Sequence, residues 1–179
     1  MDTAWADIVV AYSTGAFLLL GAPDKMRAAG TVVLVAPFAD FRAESGRGGK
    51  TPAAKLRFLL RWLRRDPLAA VSDFYDRSGL GVPPSTLPYT PEHLIWGIEQ
   101  LATVAQSALD LQSASDGDPA RARPTVSGTA QANVIALAGD CDALLDADGL
   151  RGDFPDLQVV AGAGHALADF RKELADALR

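Results

Sequence analysis

Asp7-Ile8-Val9-Val10-Ala11-Tyr12-Ser13-Thr14-Gly15-Ala16-Phe17-Leu18-Leu19-Leu20 is the stretch whose reading decides the rest. A short β-branched run leads directly into Ser-Thr-Gly and then into an apolar stretch of helical character. A strand, a sharp turn and a helix look like this when the turn carries a nucleophilic serine. Set against the pattern G-x-S-x-G, Ala11 stands at the first glycine position, Ser13 at the centre and Gly15 at the last. The tightness of such a turn predicts small residues on both flanks, and alanine is the least costly replacement for glycine. The plain alternative is a strand–helix unit whose turn merely contains Ser and Gly, with Ser13 as the helix N-cap.

Working outward, the helix from Gly15 is interrupted at Gly21-Ala22-Pro23, and Asp24 to Ala29 predicts one more turn with Gly30 as C-terminal cap. Thr31-Val32-Val33-Leu34-Val35-Ala36 is a second buried strand, closed by Pro37. Two apolar strands separated by helix predict a parallel sheet. From Phe38 onward the pattern changes. Arg42 to Lys50 is a Gly- and charge-rich loop, and the helix opened by Pro52 carries Leu56, Leu59, Leu60 and Leu63 on one face. Arg57, Arg61, Arg64 and Arg65 share another face. Asp66-Pro67 and Thr90-Pro91 each pair a cap residue with a first-turn proline and predict two further helices. Successive helices with no strand between them read as an insertion into the sheet.

Ser113 to Gln131 reads as a polar connector. Strand character returns at Asn133 to Ala138, ending in Gly139-Asp140-Cys141-Asp142, and again at Leu157 to Val160, ending in Gly162-Ala163-Gly164-His165. Ala166 to Leu178 is the closing amphipathic helix. The expected organisation is therefore 1–38 as the first part of a core, 39–126 as a helical lid, and 127–179 as the second part of the core.

At 179 residues the chain suits one domain, and its 49% hydrophobic and 22% charged content is that of an ordinary globular protein. A net charge of −5 argues against general nucleic-acid binding. The single cysteine, Cys141, excludes an internal disulfide and fits a reducing, cytoplasmic setting. No apolar run reaches the roughly 20 residues that span a bilayer, and no secretion signal is visible, so no membrane partner is expected.

Ser13, Asp142 and His165 each fall just past the C-terminal end of a different predicted strand. In an open parallel sheet, that edge is where reacting groups collect. A hydroxyl becomes a nucleophile when an imidazole removes its proton, and the imidazole needs a carboxylate to fix its tautomer. Each residue has a rival reading. His93 sits in the first turn of a predicted helix and reads as a surface or lid residue. Asp140 competes with Asp142, but the Gly-x-x-Asp spacing lets the chain leave the strand before the carboxylate turns back. Asp146 and Asp148 read as loop or cap residues, and Cys141 as a small buried filler. Two distant histidines and one cysteine offer no metal site, and Gly46 to Gly49 follows no strand and so makes no phosphate loop.

With the turns Ala11-Tyr12-Ser13-Thr14-Gly15, Gly139-Asp140-Cys141-Asp142 and Gly162-Ala163-Gly164-His165 in the order Ser, Asp, His, the chain resembles the α/β-hydrolases over almost its whole length. The resemblance implies an α/β fold: a hydrolase-type parallel sheet, here partial with about four strands, carrying an inserted helical lid. Asp66 to Tyr75 and Pro91 to Glu99 also resemble the lid of the pimeloyl-acyl-carrier-protein methyl ester esterases of biotin synthesis.

The family implies serine esterase chemistry without a cofactor. Ser13 would attack, His165 would shuttle the proton, Asp142 would orient His165, and the Thr14 backbone N–H would donate to the oxyanion. The narrower resemblance implies an acyl chain on an acidic carrier protein, gripped by Arg57, Arg61, Arg64 and Arg65; an ordinary solvated helix face is the alternative. A thioesterase would use the same triad, and a non-catalytic interaction module could retain the same half-fold.

One departure stands at the front. The family places several strands before this turn, and the second oxyanion donor follows one of them. The expectation is the C-terminal part of a longer esterase. The first strand, with Ile8, Val9 and Val10, would then be an exposed edge inviting self-association. The absent donor would lower the rate on the order of 10²–10³.

Overall fold

The computed structural model describes residues 8–106 and 133–178. Among these residues, four strands form one sheet in the order β1-β2-β3-β4. They are β1 (Ile8–Tyr12), β2 (Thr31–Val35), β3 (Asn133–Gly139) and β4 (Gln158–Val160). Every neighbouring pair is parallel, with Val9 opposite Val32 and Val33 opposite Ile135. Helices α1 (Thr14–Leu20) and α2 (Pro23–Arg27) connect β1 to β2; α3 (Ala53–Arg65), α4 (Pro67–Ser78) and α5 (Pro91–Thr103) lie between β2 and β3. A short α6 (Ala147–Leu150) precedes β4, and α7 (Arg171–Ala177) closes the chain.

The continuous apolar run of β2 is explained by burial on both faces of the sheet. Val32, Val33, Leu34 and Val35 are all fully buried. Because successive side chains point to opposite faces, Val32 and Leu34 join Phe17 and Leu20 in the larger cluster. Val33 and Val35 join Leu137 and Phe170 on the other side. Each such side chain contributes about 1.5–3 kcal/mol by leaving water. β1 pairs only with β2 among the described residues, and Val10 stays 44% exposed on that edge.

Two of the three inserted helices follow from side-chain caps; α3 starts after Pro52 without one. The Asp66 carboxylate accepts the Ala69 N–H at 3.1 Å ahead of α4, and Thr90 Oγ1 accepts the His93 N–H at 3.4 Å ahead of α5. On α3, Leu56 packs into the main core, while Leu63 meets Ala70 and Val71 in a separate small cluster. Arg64 ties α3 to α5 through Glu99 at 2.9 Å. The loop before α3 is clamped by two partly buried ion pairs, Arg42–Asp40 and Arg47–Asp153, each 2.6 Å. Burial alone would raise the Asp40 pKa, but the hydrogen bonds from Arg42 outweigh it and hold the carboxyl below its ordinary range.

Two boundaries differ from the sequence expectation. The second short helix ends at Arg27, with Ala28 and not Gly30 as its cap; the Gly30 carbonyl instead accepts the Asn133 N–H at 3.0 Å, starting the β2–β3 pairing. The closing segment begins as a 3₁₀ turn, Leu167–Phe170, before α7. There the Asp169 carboxylate reaches back to the Gly164 N–H at 2.8 Å and tightens the chain after His165. The connector expected at 113–131 and the core boundary at 126/127 lie outside the described residues.

Candidate active site

Ser13 sits between β1 and α1 with φ 51° and ψ −119°, a conformation that L residues rarely adopt. Holding a non-glycine residue there costs on the order of 1–3 kcal/mol. Ser13 occupies the N-cap position of α1, yet its side chain caps no helix amide. Its Oγ lies 2.9 Å from His165 Nε2 instead, and His165 Nδ1 lies 2.7 Å from Asp142 Oδ2. Both His165 and Asp142 are 2% exposed. An ionised Asp142 can only accept, so Nδ1 carries the imidazole proton and Nε2 is left to accept from the Ser13 hydroxyl. That is the donor order a serine nucleophile requires.

Asp142 is fixed on every side. Its Oδ1 accepts the N–H groups of Leu144 and Leu145 at 2.8 and 3.1 Å, leaving Oδ2 for the imidazole. Lys50 Nζ donates to the Asp142 carbonyl at 2.7 Å, and the Lys50 N–H donates to the Leu144 carbonyl at 2.8 Å. The turn carrying Asp142 also packs directly on the turn carrying His165. The Cys141 N–H reaches the Ala163 carbonyl at 3.0 Å, and Asp140 Oδ1 accepts the Gly162 N–H at 2.7 Å. Asp140 thus ties the two turns together from the exposed side, while Asp142 faces inward.

Tyr12 completes the frame. Its hydroxyl donates to the His165 carbonyl at 2.8 Å, and its ring lies 5.6 Å from the imidazole, centroid to centroid. Burial, reinforced by the charge of Asp142, pushes the phenol pKa up to about 12. Thr14 is the first residue of α1, so its N–H has no acceptor within the helix. Ser13, Thr14, Tyr12 and His165 line a cavity of about 340 Å³ whose other walls include Val71 of α4 and Leu94 of α5.

Several residues singled out in the sequence lie elsewhere. His93 is exposed on the first turn of α5. Arg57, Arg61, Arg64 and Arg65 are exposed on α3, and none lines the Ser13 cavity. Arg64 is occupied by Glu99, and the Arg61 guanidinium sits 6.0 Å from the centre of the Phe58 ring. Cys141 corrects an expectation: it is exposed, not a buried filler. The turn after β3 points it outward while Asp142 points in, and a hydrogen bond with Asp140 raises its thiol pKa. Gly15 corrects another. A Cβ added there would meet nothing within 4 Å, so steric crowding among the described residues does not require glycine at that flank.

Sequence reasoning missed Lys50, Asp169 and the hydroxyl of Tyr12. Only Tyr12 left a local signal, as a polar aromatic at a strand end beside Ser13. Among the described residues no three His, Cys, Asp or Glu side chains gather as metal donors, and no helix is long and apolar enough to cross a membrane.

A parallel sheet with a Ser–His–Asp relay at its C-terminal edge and a helical cover defines a class of protein, the serine-hydrolase type of α/β fold. The chain belongs to the alpha/beta hydrolase family, whose profile matches residues 4–177. No curated protein sequence matches it significantly. Among solved structures, it is similar to a thermophilic esterase from Thermogutta terrifontis, with a TM-score of 0.64 and 16% identity over 96% of this chain and 62% of that one. It is also similar to the esterase RhEst1 from Rhodococcus sp. ECU1013, with a TM-score of 0.55 and 16% identity over 94% of this chain and 63% of that one. The N-acyl homoserine lactonase AidH gives a TM-score of 0.53 and 18% identity over 94% and 59%. The chain therefore spans 59–63% of the length of these structures, and the likeness is one of fold.

Proposed function

We propose that this chain is a serine hydrolase that cleaves carboxylic esters, with Ser13 as nucleophile, His165 as general base and acid, and Asp142 as the carboxylate that orients it. The observation that carries the reading is the relay itself, 2.9 Å from Ser13 Oγ to His165 Nε2 and 2.7 Å from His165 Nδ1 to Asp142. Ser13 Oγ attacks the ester carbonyl as its proton passes to Nε2, and Asp142 stabilises the resulting imidazolium. The Thr14 N–H donates to the oxyanion. Collapse expels the alcohol, which takes the proton from Nε2. Water then attacks the acyl-serine by the same route and frees the acid. A short p-nitrophenyl ester tests this: hydrolysis well above the rate of the Ser13→Ala variant is expected, and equal rates would favour a non-catalytic interaction module.

The finer reading places the substrate as the methyl ester of an acyl chain on a carrier protein, in biotin synthesis, within the cytoplasm. Its support is the resemblance of the α4 and α5 segments and the exposed cationic face of α3. Arg57, Arg61 and Arg65 form no ion pair among the described residues, so they are available to an acidic partner. Reversing Arg61 and Arg65 to Glu should weaken binding of acyl carrier protein; unchanged affinity removes the carrier. A thioesterase would use the same relay, and thioester and ester substrates of matched acyl chain compared side by side separate the two. Self-association through the β1 edge, with Val10 exposed, is read by sedimentation of the wild type against Val10→Lys.

A further inference from the structure

Helices α3, α4 and α5 line a second cavity together with Phe41, Lys50 and Leu144, about 440 Å³ against about 340 Å³ at Ser13. The two share Phe41, Leu59, Phe74, Ile98 and Leu144, so they lie against each other across these five residues. Its interior is apolar, with Leu56, Phe58 and Trp62 among the walls. The charged groups lining it are Lys50, Lys55, Arg77 and Asp73. Three cations against one anion is a local reversal on a chain whose formal net charge is −5.

These cations are not equivalent. Lys50 donates to the Asp142 carbonyl at 2.7 Å, and Arg77 Nε is engaged by Asp73 at 2.7 Å. The Lys55 ammonium makes no ion pair or hydrogen bond among the described residues. Lys55 also lies in the first turn of the 13-residue α3, where the helix dipole adds positive potential. The exposed Glu44 carboxylate, accepting the Ala53 N–H at 3.0 Å, offsets part of that potential on the loop side. A cation with no partner among the described residues, beside an apolar cavity that shares walls with the Ser13 cavity, is placed to meet an anion at the end of an apolar chain.

We propose that this cavity receives the remote, carboxylate-bearing arm of the substrate while the ester sits at Ser13, with Lys55 as the group that recognises the carboxylate. The substrate class is then a half-ester of a dicarboxylic acid with an apolar spacer. The inference rests on the ester-hydrolase reading and not on the carrier-protein one, because an acyl chain linked to a carrier has no carboxylate at that end.

Binding is measured in the Ser13→Ala background, where hydrolysis is blocked. Monomethyl esters of a graded diacid series, from succinate to sebacate, are titrated calorimetrically beside their neutral dimethyl esters. At one or more lengths the half-ester should bind more tightly than its diester. Adding Lys55→Gln should weaken that half-ester about tenfold while leaving the diester unchanged, and Lys55→Arg should restore it. Lys55 is exposed, and circular dichroism checks that each variant folds. The proposal is overturned if no half-ester binds, if half-esters and diesters bind alike at every length, or if Lys55→Gln weakens both equally. Failure of the hydrolase reading shows separately, as wild-type protein releasing methanol from neither series faster than Ser13→Ala.

Discussion

Replacing Gly139 by alanine should disable the site without touching any residue of the relay. Gly139 ends β3, three residues before Asp142, where the backbone of the His165 turn passes directly over it. A Cβ on Gly139 would lie 2.1 Å from the Ala163 carbonyl oxygen, 2.6 Å from its carbon and 2.7 Å from the Gly164 oxygen. All three are backbone atoms, so no side chain can swing aside. Ordinary contact requires the two turns to separate by about 1 Å, the scale of misplacement that costs about 10²-fold in rate at a reacting centre. The same separation strains the Cys141 N–H bond to Ala163 and the 2.7 Å contact between His165 and Asp142. Overpacking of this kind also costs about 1–3 kcal/mol of stability. The assay is kcat/KM on a p-nitrophenyl ester together with the urea midpoint. Gly15→Ala is the internal control: its Cβ meets nothing within 4 Å, and alanine within the exposed first turn of α1 should leave activity intact and add up to about 1 kcal/mol. A Gly139→Ala protein with wild-type kcat/KM and midpoint would refute the reasoning, as would a Gly15→Ala protein that loses activity.

Three other outcomes follow from the frame around the relay. Tyr12→Phe removes the donor to the His165 carbonyl and should cost about 0.5–1.5 kcal/mol near neutral pH. The Tyr12 pKa rises from 10.0 to about 12 on folding, so above pH 10 the unfolded chain loses this proton first. Wild-type stability should fall as pH climbs through that window, and less steeply in Tyr12→Phe, as followed by urea titrations at alkaline pH. Lys50→Met frees the carbonyl of Asp142 and should lower kcat more than it raises KM for a short neutral ester; an unchanged kcat removes Lys50 as a positioning residue. Asp40 is held below the ordinary carboxylate range by Arg42, which outweighs its burial, so the stability it lends is present at neutral pH and lost as pH falls through its lowered pKa. Asp40→Asn should therefore be less stable than wild type at neutral pH, with the difference shrinking on acidification; a difference constant with pH would count against that pair.

How far the sequence could be read follows from the range of the interactions involved. The strands were legible because burial on both faces of β2 writes itself as an unbroken apolar run, Val32 to Ala36. Of the inserted helices, α4 and α5 were legible from caps, as Asp66-Pro67 and Thr90-Pro91 act within one turn of themselves, and α3 from the stripe of Leu56, Leu59, Leu60 and Leu63. The positions of Ser13, Asp142 and His165 could be inferred only as places at strand ends, since the bond from Ser13 to His165 joins residues 152 apart in the chain. Nothing local marks Lys50 as a partner of a carbonyl 92 residues away, and its neighbours Gly48 and Gly49 look like any flexible loop.

The two glycines carry the same lesson in opposite directions. Gly15 fits the nucleophile motif and has open space around it; Gly139 lies outside that motif and carries the closest approach in the site. A motif records the residues around a nucleophile, whereas the requirement for a missing side chain is set by whichever backbone crosses it, and that crossing comes from a turn more than 20 residues downstream at Ala163. Of the two glycines, the tolerance of the site to mutation should therefore be controlled at the end of β3, where the turns bearing the acid and the base are pressed together.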